Sequence, residues 1–157
     1  DQLKRAAASI LQSVRLKHPQ ARVNGILVQR MERGLAEVIL GYRSDAQVGP
    51  VVMLGAGGVL AEIYRDFALR LAPVTEEEAA RMIDEVKGLA VIRGYRNLPR
   101  GDIAALARAV SAFSALAQVD GRIAEAEVNP LIVKPEGEGV VAVDGLLVLS
   151  DNEKRDK

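Results

Sequence analysis

Leu3, Ala7, Ile10 and Val14 recur at helical spacing between Gln2 and Lys17, with Pro19 just beyond, and predict a first helix over that stretch. Two β-rich runs, GILVQRM (residues 25–31) and LAEVILGYR (35–43), are separated by the short ERG and predict an antiparallel hairpin. The second run reads as buried on both faces. PVVML (50–54) predicts a third strand leading into Gly55, Gly57 and Gly58, and DFALRLAPV (66–74) predicts another short one. Thr75 followed by Glu78 has the form of a capping box, ahead of the apolar stripe Ala79, Met82, Ile83 and Val86 and of Gly88. Asp102 is placed as the N-cap of a further helix carrying Ile103, Leu106, Val110, Phe113 and Ala117 on one face and stopping near Gly121. The run 129–149, NPLIVKPEGEGVVAVDGLLVL, closes the pattern as two β-branched stretches around a Pro-Glu-Gly-Glu turn. Strands, then helices, then strands, with no internal repeat, predict an α+β fold: a mostly antiparallel sheet with helices packed on it.

The chain of 157 residues is one ordinary domain's worth, so a single core is expected over residues 1–150, followed by the polar tail 151–157. Hydrophobic residues at 49% and charged ones at 27% describe a chain that folds. Lys plus Arg balance Asp plus Glu at 21 each, so no overall field draws it to nucleic acid or to an anionic membrane, and a small anion needs a local site. Cysteine is absent, which excludes disulfides and thiolate zinc sites and makes a cytoplasmic location the default expectation. No apolar run approaches the roughly 20 residues of a membrane span, and the charged, alanine-rich N-terminus lacks the apolar core of a signal peptide. A first residue of Asp instead of Met suggests an excerpt from a longer polypeptide.

The closing hairpin carries the most specific chemistry. If it turns about the Glu136–Gly137 bond, Lys134 faces Gly139 and Asn129 faces Asp144, and opposed residues project to the same face. Glu127, two positions before Asn129, falls on that face if the chain stays extended. Glu127, Asn129 and Asp144 then form a cluster of hard oxygen ligands, a set that suits Mg²⁺ shared with substrate phosphates. The same residues also suit a plainer reading, with Asn129-Pro130 opening a strand, Asp144-Gly145 turning and the carboxylates solvated. A slip of one residue would turn Asp144 to the other face.

IAEAEVNPLIV (123–133) followed by AVDG (142–145) resembles the acidic-x-Asn-Pro-Leu segment and downstream Asp of NDP-forming acyl-CoA synthetases, the ADP-forming acetate-CoA ligases and succinyl-CoA synthetase beta subunits. In that family the Asn and the later Asp bind the Mg²⁺ of the nucleotide, which implies that role for Asn129 and Asp144, with Glu127 as the preceding acid. Gly145 and Leu146 depart from the small or charged residues common after the Asp. LVQRMERGLAEVILG (27–41) resembles the hinge of ATP-grasp domains, which implies that Gln29, Arg30 and Met31 line a purine base and that Glu37 grips the ribose hydroxyls. A carboxylate, acceptor-only with two oxygens, suits two vicinal hydroxyls. An exposed hairpin with Glu37 as a surface acid is the alternative.

The segment VVMLGAGGVLAEIYRD (51–66) fails as a Rossmann fingerprint, because Leu60 stands where a third Gly or Ala is required and no second parallel strand ending in an acid follows. It fails as a phosphate loop too, lacking Gly-Lys-Ser/Thr. Gly57 and Gly58 still allow backbone N–H groups to converge on a phosphate, and a tight turn is the equal alternative. Residues 49–74 resemble the Gly-Pro-Val-x-Met-x-Gly-x-Gly-Gly run of the same synthetases, which extends the resemblance over almost the whole chain. Within it Arg70 is the candidate for a triphosphate contact, with Arg65 behind it, either of them alternatively an ion-pair arginine. His18, the one histidine, lies beside Pro19 after the first helix and is assigned no role.

The resemblance implies the C-terminal part of an ATP-grasp domain in an acid-CoA ligase, with ATP/ADP or GTP/GDP and Mg²⁺ as cofactors. Its partners would be CoA-binding and phosphohistidine-carrying domains or a subunit, with neither nucleic acid nor membrane involved. Such an enzyme interconverts acyl-CoA, NDP and phosphate with acid, CoA and NTP through acyl phosphate and phosphohistidine. The family's histidine motifs and forward lysine are absent from this chain, so the excerpt alone is expected to be inactive. A non-catalytic, regulatory module of a protein acetyltransferase fusion is the other reading.

Overall fold

The computed structural model describes residues 1–58, 65–119 and 122–150, and the expected tail 151–157 lies outside the described residues. The chain divides into two compact units, Asp1–Met31 and Glu32–Lys157. The first holds helix α1, Gln2–Lys17, as the periodicity predicts, and none of its helical residues is buried. The second holds the strands β1 (Ala36–Asp45), β2 (Gly49–Ala56) and β3 (Phe67–Leu71), and the helices α2 (Glu76–Glu85) and α3 (Ile103–Ser114). The strands β4 (Ile123–Val133), β5 (Val140–Ala142) and β6 (Gly145–Leu149) follow. They form a six-stranded sheet in the order β3-β2-β1-β4-β5, with β6 also paired to β4, and every pairing is antiparallel.

One expected strand is not formed. Residues 25–31 have no regular secondary structure, because β1, their expected partner, is hydrogen-bonded along both edges, to β2 and to β4. A segment without a ladder partner cannot satisfy its backbone groups as a strand. The β-rich composition of GILVQRM suits a strand, but pairing decides whether one exists.

Alternation along β1 sorts the two faces of the sheet. Val38, Leu40 and Tyr42 are buried, whereas Glu37 is exposed and Ile39 and Gly41 are half-buried, so even-numbered positions face the core. On that face Val52, Leu54 and Leu131 join Met82 and Ile83 of α2 and Leu106 and Val110 of α3 in one cluster. The helices sit where their caps put them. Thr75 Oγ1 accepts the Glu78 N–H at 3.2 Å, but the Glu78 carboxylate turns to Arg70 and Arg81 instead of closing the capping box. The buried Ser114 hydroxyl accepts the Val74 N–H at 2.9 Å and donates to the Ser111 carbonyl at 2.7 Å, tying the end of α3 to the residue ahead of α2.

Asp102 caps α3, accepting the Ala105 N–H at 2.9 Å, and reaches across to the closing hairpin, where it accepts the N–H groups of Gly137 and Gly139. These donors, Ala105 foremost and then Gly139, hold its carboxyl below the usual carboxylate range. A carboxyl whose folded value lies below its unfolded value, about 3.9, contributes stability that is complete above that value and lost as pH falls through the folded one. Thermal melts of the wild type and Asp102→Asn should therefore differ near neutrality and converge as the pH is lowered below about 4. A gap that stays constant down to pH 2.5 would show that the carboxylate charge contributes nothing to the cap.

Candidate functional site

On the face away from α2 and α3, Glu127 of β4 stands opposite Gly41 of β1. The β1–β4 register shifts between Val38 and Leu40, so Asn129 and Pro130 together oppose the single residue Ile39. This is a β-bulge at the one residue of the run that lacks an N–H, and bulges of this kind re-aim side chains. The Asn129 amide nitrogen donates to Glu127 Oε1 at 3.0 Å, which places both side chains on one side.

The other edge of β4 carries the hairpin in the register expected from the turn. Lys134 N–H donates to the Gly139 carbonyl at 3.1 Å, and Asn129 N–H to the Asp144 carbonyl at 3.1 Å. Glu127, Asn129, Asp144, Gly145 and Leu146 line one cavity of about 380 Å³. Asp144 Oδ1 accepts the Gly145 N–H at 2.8 Å, leaving its second oxygen uncommitted by that bond. With the Asn129 nitrogen turned to Glu127, its oxygen is the branch open to a ligand. Two carboxylates and one amide oxygen form a hard, nitrogen- and sulfur-free donor set, which fits a divalent cation that also draws on phosphate and water. Among the described residues no three His, Cys, Asp or Glu side chains converge to complete a cation shell alone.

A second group gathers at the far end of β1. Glu37, Gly57 and Gly58 line a cavity of about 460 Å³ together with Glu32 to Ala36 and Ile132. Glu37 and Gly57 also border a cavity of about 780 Å³ walled by Leu35, Ala36, Leu89 and Val91, with Arg65, Asp66 and Lys87 as its further charges. Gly57 N–H donates to the Glu37 carbonyl at 2.8 Å, and a Cβ on Gly57 would lie 2.8 Å from the Glu37 carbonyl carbon. Only glycine lets the end of β2 close over the residue that bears the acid.

Asp66 and Lys87 were not legible from sequence as members of this group. They meet because the Asp66 carboxylate accepts the N–H groups of Lys87 at 3.1 Å and Gly88 at 2.5 Å, some twenty positions away. No local pattern signals such a bond.

Arg70, expected at a triphosphate, is placed otherwise. Its Nε donates to Glu78 at 2.5 Å and another guanidinium nitrogen to Glu85, and these carboxylates, Glu85 first, raise its pKa. It stands opposite Val52, on the core face, and ties β3 to α2. Gln29, Arg30 and Met31 are exposed members of the first unit, outside any strand. His18 caps α1 through its N–H to the Val14 carbonyl at 2.8 Å, and its side chain is exposed.

A family model described as an ATP-grasp domain matches residues 1–149. The chain belongs to the ATP-grasp family. Acetate–CoA ligase [ADP-forming] I of Archaeoglobus fulgidus is 38% identical over 149 residues, covering 95% of this ATP-grasp chain and 22% of the relative. The beta subunit of acetate–CoA ligase [ADP-forming] II from Pyrococcus furiosus is 34% identical, over 95% of this chain and 64% of that subunit. The chain thus spans about a fifth of the first relative and just under two thirds of the second. Among solved structures, the dinucleotide-forming acetyl-coenzyme A synthetase 1 of Ca. Korarchaeum cryptofilum, in complex with coenzyme A, Ca-AMPCP and HgCl⁺, superposes with a TM-score of 0.84 at 36% identity. That match covers 93% of this chain and 63% of the other. Another structure of the same synthetase, with Mg-AMPPCP and a phosphohistidine segment pointing towards the nucleotide binding site, gives a TM-score of 0.70 at 37% identity, over 76% of this chain and 55% of that one.

The packing of Gly57 on Glu37 is directly testable in this ATP-grasp domain. Gly57→Ala should destabilise it by about 1–3 kcal/mol, the usual cost of forcing a methyl group against fixed backbone. Gly145→Ala, whose Cβ would lie an ordinary 3.5 Å from the Glu127 carbonyl, should stay near wild type. Equal melting temperatures for Gly57→Ala and the wild type would remove the close approach.

Proposed function

We propose that this domain binds a purine nucleoside di- or triphosphate together with Mg²⁺, as part of an acid-CoA ligase that forms NDP. The observation that carries the reading is the meeting of Asn129 and Asp144 across the β4 hairpin, with Glu127 hydrogen-bonded beside them. Asn129 and Asp144 hold the cation, and Glu127 supports Asn129 and adds negative charge. Glu37 accepts from the ribose hydroxyls, and Gly57 and Gly58 offer backbone to the phosphates. Arg70 is left out of the phosphate site, because a phosphate would have to displace two carboxylates from it.

The reading is supported by the relatives, whose names specify ADP-forming acid-CoA ligation, and by a synthetase structure that carries Mg-AMPPCP. Mg²⁺ supplies charge neutralisation of the phosphates during phosphoryl transfer. This chain's residues place the nucleotide and the cation and are not themselves nucleophiles. The complete enzyme interconverts acyl-CoA, NDP and phosphate with acid, CoA and NTP, and its CoA-binding and phosphohistidine-carrying parts lie on other domains or another subunit.

Calorimetry on the full-length protein separates the two halves of the proposal. Glu37→Ala removes a charge-assisted hydrogen bond of roughly 1.5–3 kcal/mol, so nucleotide affinity should fall about tenfold or more with or without Mg²⁺. Asp144→Asn should weaken binding only when Mg²⁺ is present. Unchanged constants in Glu37→Ala would remove the ribose assignment, and unchanged Mg²⁺ dependence in Asp144→Asn would remove the cation site.

A further inference from the structure

The strands that deliver Asp144 to Asn129 are poorly keyed by burial. No residue of β5 or β6 is fully buried, and all five residues of β6 are exposed. Register is strongly specified only where one face of a strand is buried, so the pattern of these strands does not by itself resist a slip of one residue. Such a slip would send Asp144 to the other face. Apart from the partly buried Val140, which packs on the core at the start of β5, what sets the register within this chain is the turn.

The turn is Pro135 to Gly139, closed by Glu138 N–H on the Pro135 carbonyl at 2.9 Å, with Gly137 and Gly139 at φ of 85° and 81°. It is gripped from the segment before α3. Asp102 Oδ2 accepts the N–H groups of Gly137 and Gly139, each at 3.0 Å, while its Oδ1 stays on the Ala105 N–H. Backbone bonds flank the grip: Asp102 N–H to the Lys134 carbonyl and Glu136 N–H to the Arg100 carbonyl, both at 2.9 Å. Asp102 is 8% exposed, so these bonds are largely shielded from water. One carboxylate therefore fixes the turn to the helix that packs against the core.

We propose that Asp102 is a positioning residue for the cation site, holding the hairpin turn in the one register that keeps Asp144 opposite Asn129. It acts from the distal end of the hairpin and touches neither nucleotide nor cation. The inference rests on the reading of Asn129 and Asp144 as cation ligands.

The test uses the full-length protein with Mg²⁺ and a nonhydrolysable ATP analogue, and compares Asp102→Ser, Asp102→Asn and the ligand variant Asp144→Ala. Serine caps α3 but has no second oxygen for the turn. Asparagine keeps an oxygen for Ala105 and sets an NH₂ against the two glycine N–H groups, so it reaches the same defect by a second route if the serine variant does not fold. Both should lose hydrogen-exchange protection over residues 135–139 and need about tenfold more Mg²⁺ for half-maximal nucleotide binding, the scale of losing a residue that orients a metal ligand. Nucleotide affinity without Mg²⁺ should stay at wild type, which a general loss of stability would not leave unchanged. Wild-type Mg²⁺ dependence in an Asp102 variant whose turn has lost protection, while Asp144→Ala is impaired, overturns the positioning role and leaves the cation site standing. Absence of any Mg²⁺ effect in the wild type removes the cation site, and this inference with it.

Discussion

β4 is hydrogen-bonded along both edges, to β1 on one side and to β5 and β6 on the other, and the candidate site depends on where it lies in that ladder. The β1 edge turns Glu127 away from the helices and bulges at Asn129 and Pro130. The other edge brings the Asp144 carbonyl to the Asn129 N–H. A shift of one residue on either edge would leave every strand intact and still dissolve the donor cluster, because side chains alternate between faces. The sheet is therefore the frame that puts three oxygen-bearing side chains into one cavity.

The two faces of the sheet divide the work. On the core face, α2 and α3 cover Val38, Leu40, Val52 and Leu54, and their caps and the Ser114 bonds fix how they lie. Charge on that side is neutralised locally: Arg70 by Glu78 and Glu85, Arg81 by Glu77 and Glu78, Arg93 by Asp84. On the opposite face Glu37 and Glu127 form no such ion pair among the described residues, so a chain of zero net charge keeps local negative charge there.

Much of the fold was legible because its signals are local. α1, the Thr75 and Asp102 caps, β2, β3 and the turn at Glu136–Gly137 each follow from a few consecutive residues, and the hairpin register followed from the turn by counting. The pairing of β1 with β4 was not legible, since it joins segments about ninety positions apart and the apolar pattern is the same whichever strand lies alongside. GILVQRM misled for the same reason: its residues suit a strand, but β1, its expected partner, is already paired along both edges. Arg70 shows a further limit. An arginine on a strand reads alike as a phosphate ligand or an ion-pair residue until the helix bearing Glu78 and Glu85 is placed beside it. Asp102 was legible as a cap, but its second oxygen serves a turn some thirty-five residues later, which no spacing announces.

In the proposed site the oxygens of Asn129 and Asp144 hold one divalent cation together with the nucleotide phosphates. The most direct measurement is the anomalous scattering of Mn²⁺ in crystals of the full-length protein grown with a nonhydrolysable nucleoside triphosphate. One peak is expected, bridging the phosphates and lying about 2.0–2.3 Å from both Asn129 Oδ1 and an Asp144 carboxylate oxygen, close to the bond lengths of hard divalent cations. A phosphate-bound peak that touches neither residue, or a nucleotide bound away from the face that carries Glu37 and Glu127, would contradict it.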